Sequence, residues 1–525
     1  MLVIRFNSQN TSANNMLASM QLSLLTVFLL PTCLVGAVSH QDVQQAVDRL
    51  DDLYQSVLND TEVPSIAAAV VYNDSIIYAN AFGVREVGSN ESATPETVYQ
   101  LAYLSKPISS TIVAQLVSNG YLDWSSKTNE LDSTIELSDS WITREVTIED
   151  LFSHRSGLFG GAGDDLESFN YNRSEILSRM KYLQPTGSFR ITYQYSNYGI
   201  TMGAVAPAAA AGLSWEEAAS PFYERCNMTS TTSENDEFRG EFDRASLHVR
   251  AGNGTNFGAP YIVAPDRNPD PQAPAGGIAA NVIDLAQWLR LHLGNGTCNG
   301  DEIVSSEALP YTHQPQINRG LDPASNRTAF YGLGWNIDYQ PSGRAFIGHA
   351  GAFMSGTRSY VRLNIADGIG IVVLSDCWPT GTPDGIAYTF MDWVYQGNQN
   401  ETTDWVSFWD DLYEQLNEAF VTTDPGFAVT PVHGSAPLKG TDVYAGTYSN
   451  DYVGIVQVKG TDNQNLTMEI GGRSLLLTHW DRDVFIMRPV AEHPEHRTTV
   501  TFSVGPGGQA QQVLLMYLME MEVVF

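Results

Sequence analysis

Residues 99–117 read YQLAYLSKPISSTIVAQLV, and the rest of the chain is interpreted outward from them. Leu104, Ile108, Ile112 and Leu116 recur at every fourth position, which predicts a helix with a buried apolar face and Lys106 in its first turn. A lysine on a helix is more often a snorkelling or paired surface group, but here an apolar run follows it at once. Three positions earlier stands Tyr103. Serine at that place would share one helix face with the lysine, and the amine could take the hydroxyl proton and make it a nucleophile. A phenol reaches several ångströms further, into the space where an acyl carbonyl would sit, and ionises near pH ~10 unless an ammonium lowers that value. Three readings follow. Tyr103 fills a catalytically silent pocket; or its phenolate attacks in place of an alkoxide; or Ser105 serves instead, although neighbours on a helix point about 100° apart.

Upstream, residues 41–58 have helical periodicity and lead into PSIAAAVVYNDSIIYANAFGV, two β-rich runs around Asn73-Asp74 that predict a hairpin at a sheet edge. Downstream, residues 147–288 mix helical stretches such as TIEDLFSH and SWEEAASPFYERC with Gly/Pro/Asn-rich loops, as expected of a mostly helical insertion. Strand character returns in YGLGWNIDY, AFIGHAG, TRSYVRLN and GIGIVVLSD, successive short strands suited to an antiparallel sheet, and DWVYQ leads into a helix ending near Phe420. Residues 421–440 read as a linker by composition. Beyond them, runs from YAGTYSNDYVGIVQVKG to QVLLMYLM alternate at period two, which predicts a small β-domain over 441–525.

LAYLSKP, LFSHRSGL, YQYSNYG, PAGGI and GHAGAFMSG occur in the order and approximate spacing of the serine β-lactamase and penicillin-binding-protein family, with its esterase and D-aminopeptidase relatives. The resemblance runs from about Val43 to Val394, and the final β-domain resembles an appendage of some secreted members. It implies an α/β (α+β) fold, an antiparallel sheet flanked by helices with an all-helical insertion, followed by a β-barrel-like domain. It also implies acyl transfer on an ester or amide. Lys106 and Tyr195 would move protons, Asn197 would hold the substrate, and the strand at His349 to Gly351 would help to stabilise an oxyanion. Tyr103 departs from the pattern, so either the chain hydrolyses acyl compounds by an altered route or it is a silent binding protein on this scaffold. His154 reads as a structural hydrogen bonder, and PAGGI as a place of close backbone approach.

The chain has 525 residues, 43% of them hydrophobic, enough for one large and one smaller core. Its 59 acidic residues against 28 basic ones, net charge −31, argue against nucleic acid or an anionic membrane as partner. Residues 20–40, MQLSLLTVFLLPTCLVGAVSH, pair an apolar run with Val35 and Ala37 where a signal peptidase would read them, so residues 1–39 are expected to be a signal and the chain secreted, free of the membrane after cleavage. Eleven Asn-x-Ser/Thr sequons, ten beyond that segment, fit a glycoprotein. Cys226, Cys298 and Cys377 permit one disulfide and show no metal-site spacing; neither metal nor cofactor is expected.

Overall fold

Residues 65–71 of the strand Ser65–Tyr72, SIAAAVV, are all buried, which a strand achieves only when both faces of its sheet are covered. The computed structural model describes residues 38–252, 258–397, 403–422, 440–461, 465–490, 497–516 and 521–524. In it, Ile66, Ala68 and Val70 point to one core and Ala67, Ala69 and Val71 to another, the period of two that a pleated strand imposes.

That strand, β1 (Ser65–Tyr72), turns at Asn73-Asp74 into β2 (Ser75–Gly83), as expected from the sequence. Six more strands complete the sheet: β3 (Ile317–Leu321), β4 (Thr328–Tyr331), β5 (Asn336–Tyr339), β6 (Ala345–Phe353), β7 (Thr357–Asn364) and β8 (Ile369–Ser375). The order is β2-β1-β8-β7-β6-β5-β4-β3, with every pairing antiparallel and β2 at one edge. One face is covered by the helices His40–Val47, Leu50–Thr61 and Thr382–Gln396, the other by Ser105–Ser118 and Val282–Leu293. Between Ile148 and Trp288 the chain is mainly short helices, the expected insertion. DWVYQ closes the helix Thr382–Gln396 rather than opening one; a second helix, Trp405–Thr422, follows.

The end of the chain forms a closed barrel of eight antiparallel strands, β9 (Gly446–Asn450), β10 (Gly454–Gly460), β11 (Leu466–Ile470), β12 (Arg473–Asp481), β13 (Val484–Met487), β14 (Thr498–Val504), β15 (Ala510–Leu515) and β16 (Met521–Val524). Alternate residues such as Val456, Val458, Met468, Leu477, Phe485 and Phe502 fill it, and β16 pairs with β9 to remove the edges. Two barrel turns hold the insertion. Tyr452 donates its hydroxyl to Asp165 (2.5 Å), the Tyr171 hydroxyl donates to the Val453 carbonyl (2.5 Å), and Arg179 donates to the Tyr452 carbonyl (2.8 Å). At the other turn, Gly472 N–H donates to Phe169 O (3.0 Å), and a Cβ on Gly471 would lie 2.1 Å from that same oxygen.

The expected signal at 1–39 lies almost wholly outside the described residues, as does most of the expected linker. Among the described residues no helix is long and apolar enough to cross a membrane.

Candidate active site

The helix starts at Ser105, which puts Lys106 in its first turn as expected; the residues of the stretch before it are used elsewhere. Tyr99 and Gln100 pair with Ala279 and Ala280 as a short antiparallel ladder, and Ala102–Leu104 form a 3₁₀ turn. Ala102 carries φ of +47°, a conformation that non-glycine residues avoid and that costs about 1–3 kcal/mol. The turn is held by Ser105, whose buried hydroxyl donates to Ala102 O (2.6 Å) and accepts from Ile278 N–H (3.0 Å). Both of its hydrogen-bonding roles are thus taken by backbone, which leaves the Ser105 reading without support from geometry.

PAGGI does more than permit close approach. Ala275 O accepts from Lys106, Pro274 O from the Ser109 hydroxyl (2.6 Å), and Ile278 exchanges bonds with Ser105 and Leu101. The motif wraps the first turns of the Lys106 helix.

Lys106 is fully buried. Its Nζ donates to Asn197 Oδ1 (2.7 Å) and Ala275 O (3.3 Å), and lies over the Tyr103 ring, 3.8 Å from the centroid, and over the Tyr195 ring at 4.4 Å. Burial pushes its pKa well below the usual ammonium range, against the nearby Asp164 carboxylate. Asn197, first residue of the helix Asn197–Ala210 and capped by Ser196, turns its Nδ2 to both oxygens of Asp164 (3.1 and 3.0 Å) and to the Tyr103 phenol (3.4 Å). Tyr103 itself packs edge-on against Tyr195 and Phe353, with centroids 6.1 and 5.6 Å away.

On the opposite wall, His349 Nδ1 lies 2.7 Å from Ala350 O, and a carbonyl can only accept, so Nδ1 carries the proton. Its Nε2 then accepts the Tyr331 hydroxyl at 2.9 Å, and burial, with Lys106 nearby, pulls its pKa down to about 3. His154 Nδ1 accepts Ser196 N–H (3.1 Å), and burial holds this imidazole neutral too. The Tyr195 ring lies against His154 at 4.5 Å; burial, then the hydroxyls of Tyr331 and Tyr103, pushes its pKa well above the ordinary phenol value. Gly351 is fixed by crowding: a Cβ there would lie 2.1 Å from Leu101 O and 2.8 Å from Leu104 N, so β6 presses on the turn that carries Tyr103. Among the described residues the β5–β6 pairing ends at Gly348, and residues 349–353 of β6 are strand-paired only with β7.

All six residues singled out in the sequence therefore converge: Tyr103, Lys106, Tyr195, Asn197, His349 and Gly351. Asp164 was not among them. Its carboxyl is pushed up to about 7 by burial and by Glu167, against the Asn197 hydrogen bond and Lys106. The only local signal is the acidic doublet Asp164-Asp165 set behind Gly161 and Gly163. Gly163, at φ +90°, lets the chain bend in against Met180, Tyr198 and Ile176. Among the described residues no group of three or more His, Cys, Asp or Glu is arranged to hold a metal ion.

Comparison with known proteins bears on the family and the fold. A family model described as Beta-lactamase matches residues 43–392, and a domain of unknown function (DUF3471) matches residues 430–524. An unguisins hydrolase of Aspergillus campestris is 24% identical over 504 residues, covering 90% of each chain. Penicillin-binding protein 4 of Amycolatopsis lactamdurans is 25% identical over 332 residues, 62% of this chain and 83% of the relative. The solved structure of an octameric penicillin-binding protein homologue from Pyrococcus abyssi superposes with a TM-score of 0.58 at 18% identity, covering 91% of this chain and 99% of the other. With two thirds of its length matched by the family model and its fold shared with a penicillin-binding protein homologue, the chain belongs to the beta-lactamase family of hydrolases.

Proposed function

We propose that this chain is a secreted glycoprotein whose cleft receives small acyl esters or amides, and that Tyr103 closes the covalent, lysine-activated route to their hydrolysis. One observation carries this reading: Lys106 meets Tyr103 through the ring face while its hydrogen bonds go to Asn197 and Ala275. An amine so placed does not draw the phenol proton. Support for the substrate class comes from the relatives, one named as a hydrolase of unguisins, and from the retained Asn197 and β6 edge. Support for secretion comes from the apolar leader and from sequons whose asparagines stand exposed at Asn59, Asn73, Asn90, Asn172, Asn227, Asn295 and Asn326.

The test is Tyr103→Ser assayed with a chromogenic ester. The variant is expected to turn over with a pre-steady-state burst of released chromophore, the mark of an acyl-enzyme, and the parent to show none. Absence of a burst in the variant overturns the claim that the rest of the machinery is intact. A second reading, a silent binding protein, is favoured by the same placement of Tyr103; saturable binding of the ester by the parent with no turnover at any pH would establish it.

A further inference from the structure

If the lysine route is closed, some other group must take a proton for the cleft to hydrolyse anything. The lone pairs of the site can be followed one by one. His154 Nδ1 accepts the Ser196 N–H, so its other nitrogen bears hydrogen. His349 Nε2 accepts the Tyr331 hydroxyl, and its Nδ1 proton is directed at Ala350 O. Tyr195 is a protonated phenol. Lys106 is turned toward the Asn197 and Ala275 oxygens and two ring faces. Asp164 differs. Both of its carboxyl oxygens accept from one donor, Asn197 Nδ2, which leaves acceptor capacity on each, and the residue is only partly buried. The same Nδ2 reaches the Tyr103 phenol (3.4 Å), so the carboxyl group stands across a single amide from that hydroxyl. Its position is set from behind: the adjacent Asp165 receives the Tyr452 hydroxyl of the barrel, and Tyr171 is tied to Val453.

We propose that Asp164 is the general base of this cleft, activating water for direct attack on the acyl carbon with no covalent enzyme intermediate. The inference rests on the acyl-compound reading given above. The step balances within the site. A water oxygen forms the new bond to the acyl carbon as the carbonyl electron pair moves onto its oxygen, and the water proton goes to the Asp164 carboxylate. Collapse of the tetrahedral species breaks the bond to the leaving oxygen or nitrogen, which takes the proton back from Asp164. The charged and titratable groups facing Asp164 are Glu167 and Asp165 on its own helix, Lys106 across Asn197, and the phenols of Tyr195, Tyr198 and Tyr452; Glu167 is itself held by Arg267, Gln272 and Tyr198.

The experiment follows hydrolysis of p-nitrophenyl acetate by the full-length chain between pH 5 and 9, with intact-mass analysis during turnover. The parent is expected to give a rate that rises to a plateau through an inflection near neutral pH, with no mass adduct. In Asp164→Asn the rate should fall by about 100-fold or more and the inflection should vanish, while the melting curve shows a folded protein. Should that variant fail to fold, Asp164→Glu keeps the carboxyl but displaces it; a lowered rate with the inflection preserved supports the assignment, and an unchanged rate overturns it. Absence of turnover in the parent overturns the proposal; as an independent arm, the labelling rate of Tyr103→Ser by a fluorophosphonate is read against pH with and without Asp164→Asn. Loss of the inflection in the double variant supports Asp164. Its persistence overturns the proposal and returns the base to Lys106, with the acyl-compound reading left standing. No reaction in the parent or in Tyr103→Ser overturns both.

Discussion

Gly351→Ala probes how tightly the sheet is pressed against the turn that carries Tyr103. The added methyl would meet Leu101 O at 2.1 Å, Ser359 Oγ at 2.3 Å and Leu104 N at 2.8 Å. Two of the three are backbone atoms, and the third is a hydroxyl that could rotate away only by giving up its hydrogen bond to that same Leu101 O (2.6 Å). Overpacking of a core costs about 1–3 kcal/mol, and occasionally more. Backbone opposition from two sides, with a hydrogen bond lost if the third atom moves, puts this site at the upper end, roughly 3 kcal/mol, a factor of over 100 in the folding equilibrium. The turn already holds Ala102 at φ +47°, so relief of the clash would come from the segment bearing Tyr103. Urea denaturation followed by tryptophan fluorescence measures the loss, since Trp288 and Trp335 lie in the core beneath the Lys106 helix. A change within about 0.5 kcal/mol, the range of ordinary surface substitutions, would refute the claimed crowding.

Further outcomes follow from other parts of the molecule. Because burial raises Asp164 above its unfolded value, to about 7, its favourable contribution is complete below the unfolded carboxylate pKa near ~4 and is lost as pH rises through about 7. Asp164→Asn should therefore gain stability relative to the parent above pH 7 and show little difference below pH 4 in parallel urea melts. Asp150 is the opposite case: burial alone would raise its pKa, but hydrogen bonds from Arg190 and Arg155 outweigh it, so its stabilisation is present at neutral pH and is lost on acidification. Asp150→Asn should destabilise the protein at pH 7 and flatten the acid-unfolding curve. Tyr452→Phe removes the hydrogen bond to Asp165 and should cost about 1.5–3 kcal/mol, as for bonds to charged groups, with the barrel's own fold intact by circular dichroism. Expression in a eukaryotic secretory host should deliver glycosylated chain to the medium, and peptide N-glycosidase should then lower its mass; an unglycosylated product retained inside the cell contradicts the secretory assignment.

Local periodicity made much of this fold legible. The Asn73-Asp74 turn, the four strands from YGLGWNIDY to GIGIVVLSD and most barrel strands declare themselves by alternation or turn chemistry. The strand at Tyr99-Gln100 did not, because it pairs with Ala279-Ala280, far away in the chain, and tertiary pairing overrides local preference. The closing barrel strand, Met521–Val524, lies in YLMEMEVVF, where four residues give too little alternation to separate a strand from the run before it. Within the site, Lys106, Tyr195 and Asn197 were singled out because they sit in motifs that resemble those of the beta-lactamase family. Asp164 sits in none; it reaches Asn197 only because Gly163 bends the insertion inward and the barrel grips the next residue.

Intact-mass spectrometry after exposure to a fluorophosphonate tests the account most directly. The parent is expected to keep its mass, and the Tyr103→Ser variant to gain one phosphonyl group located at position 103 by peptide mapping. A phosphonyl group on Tyr103 or Ser105 of the parent would contradict it.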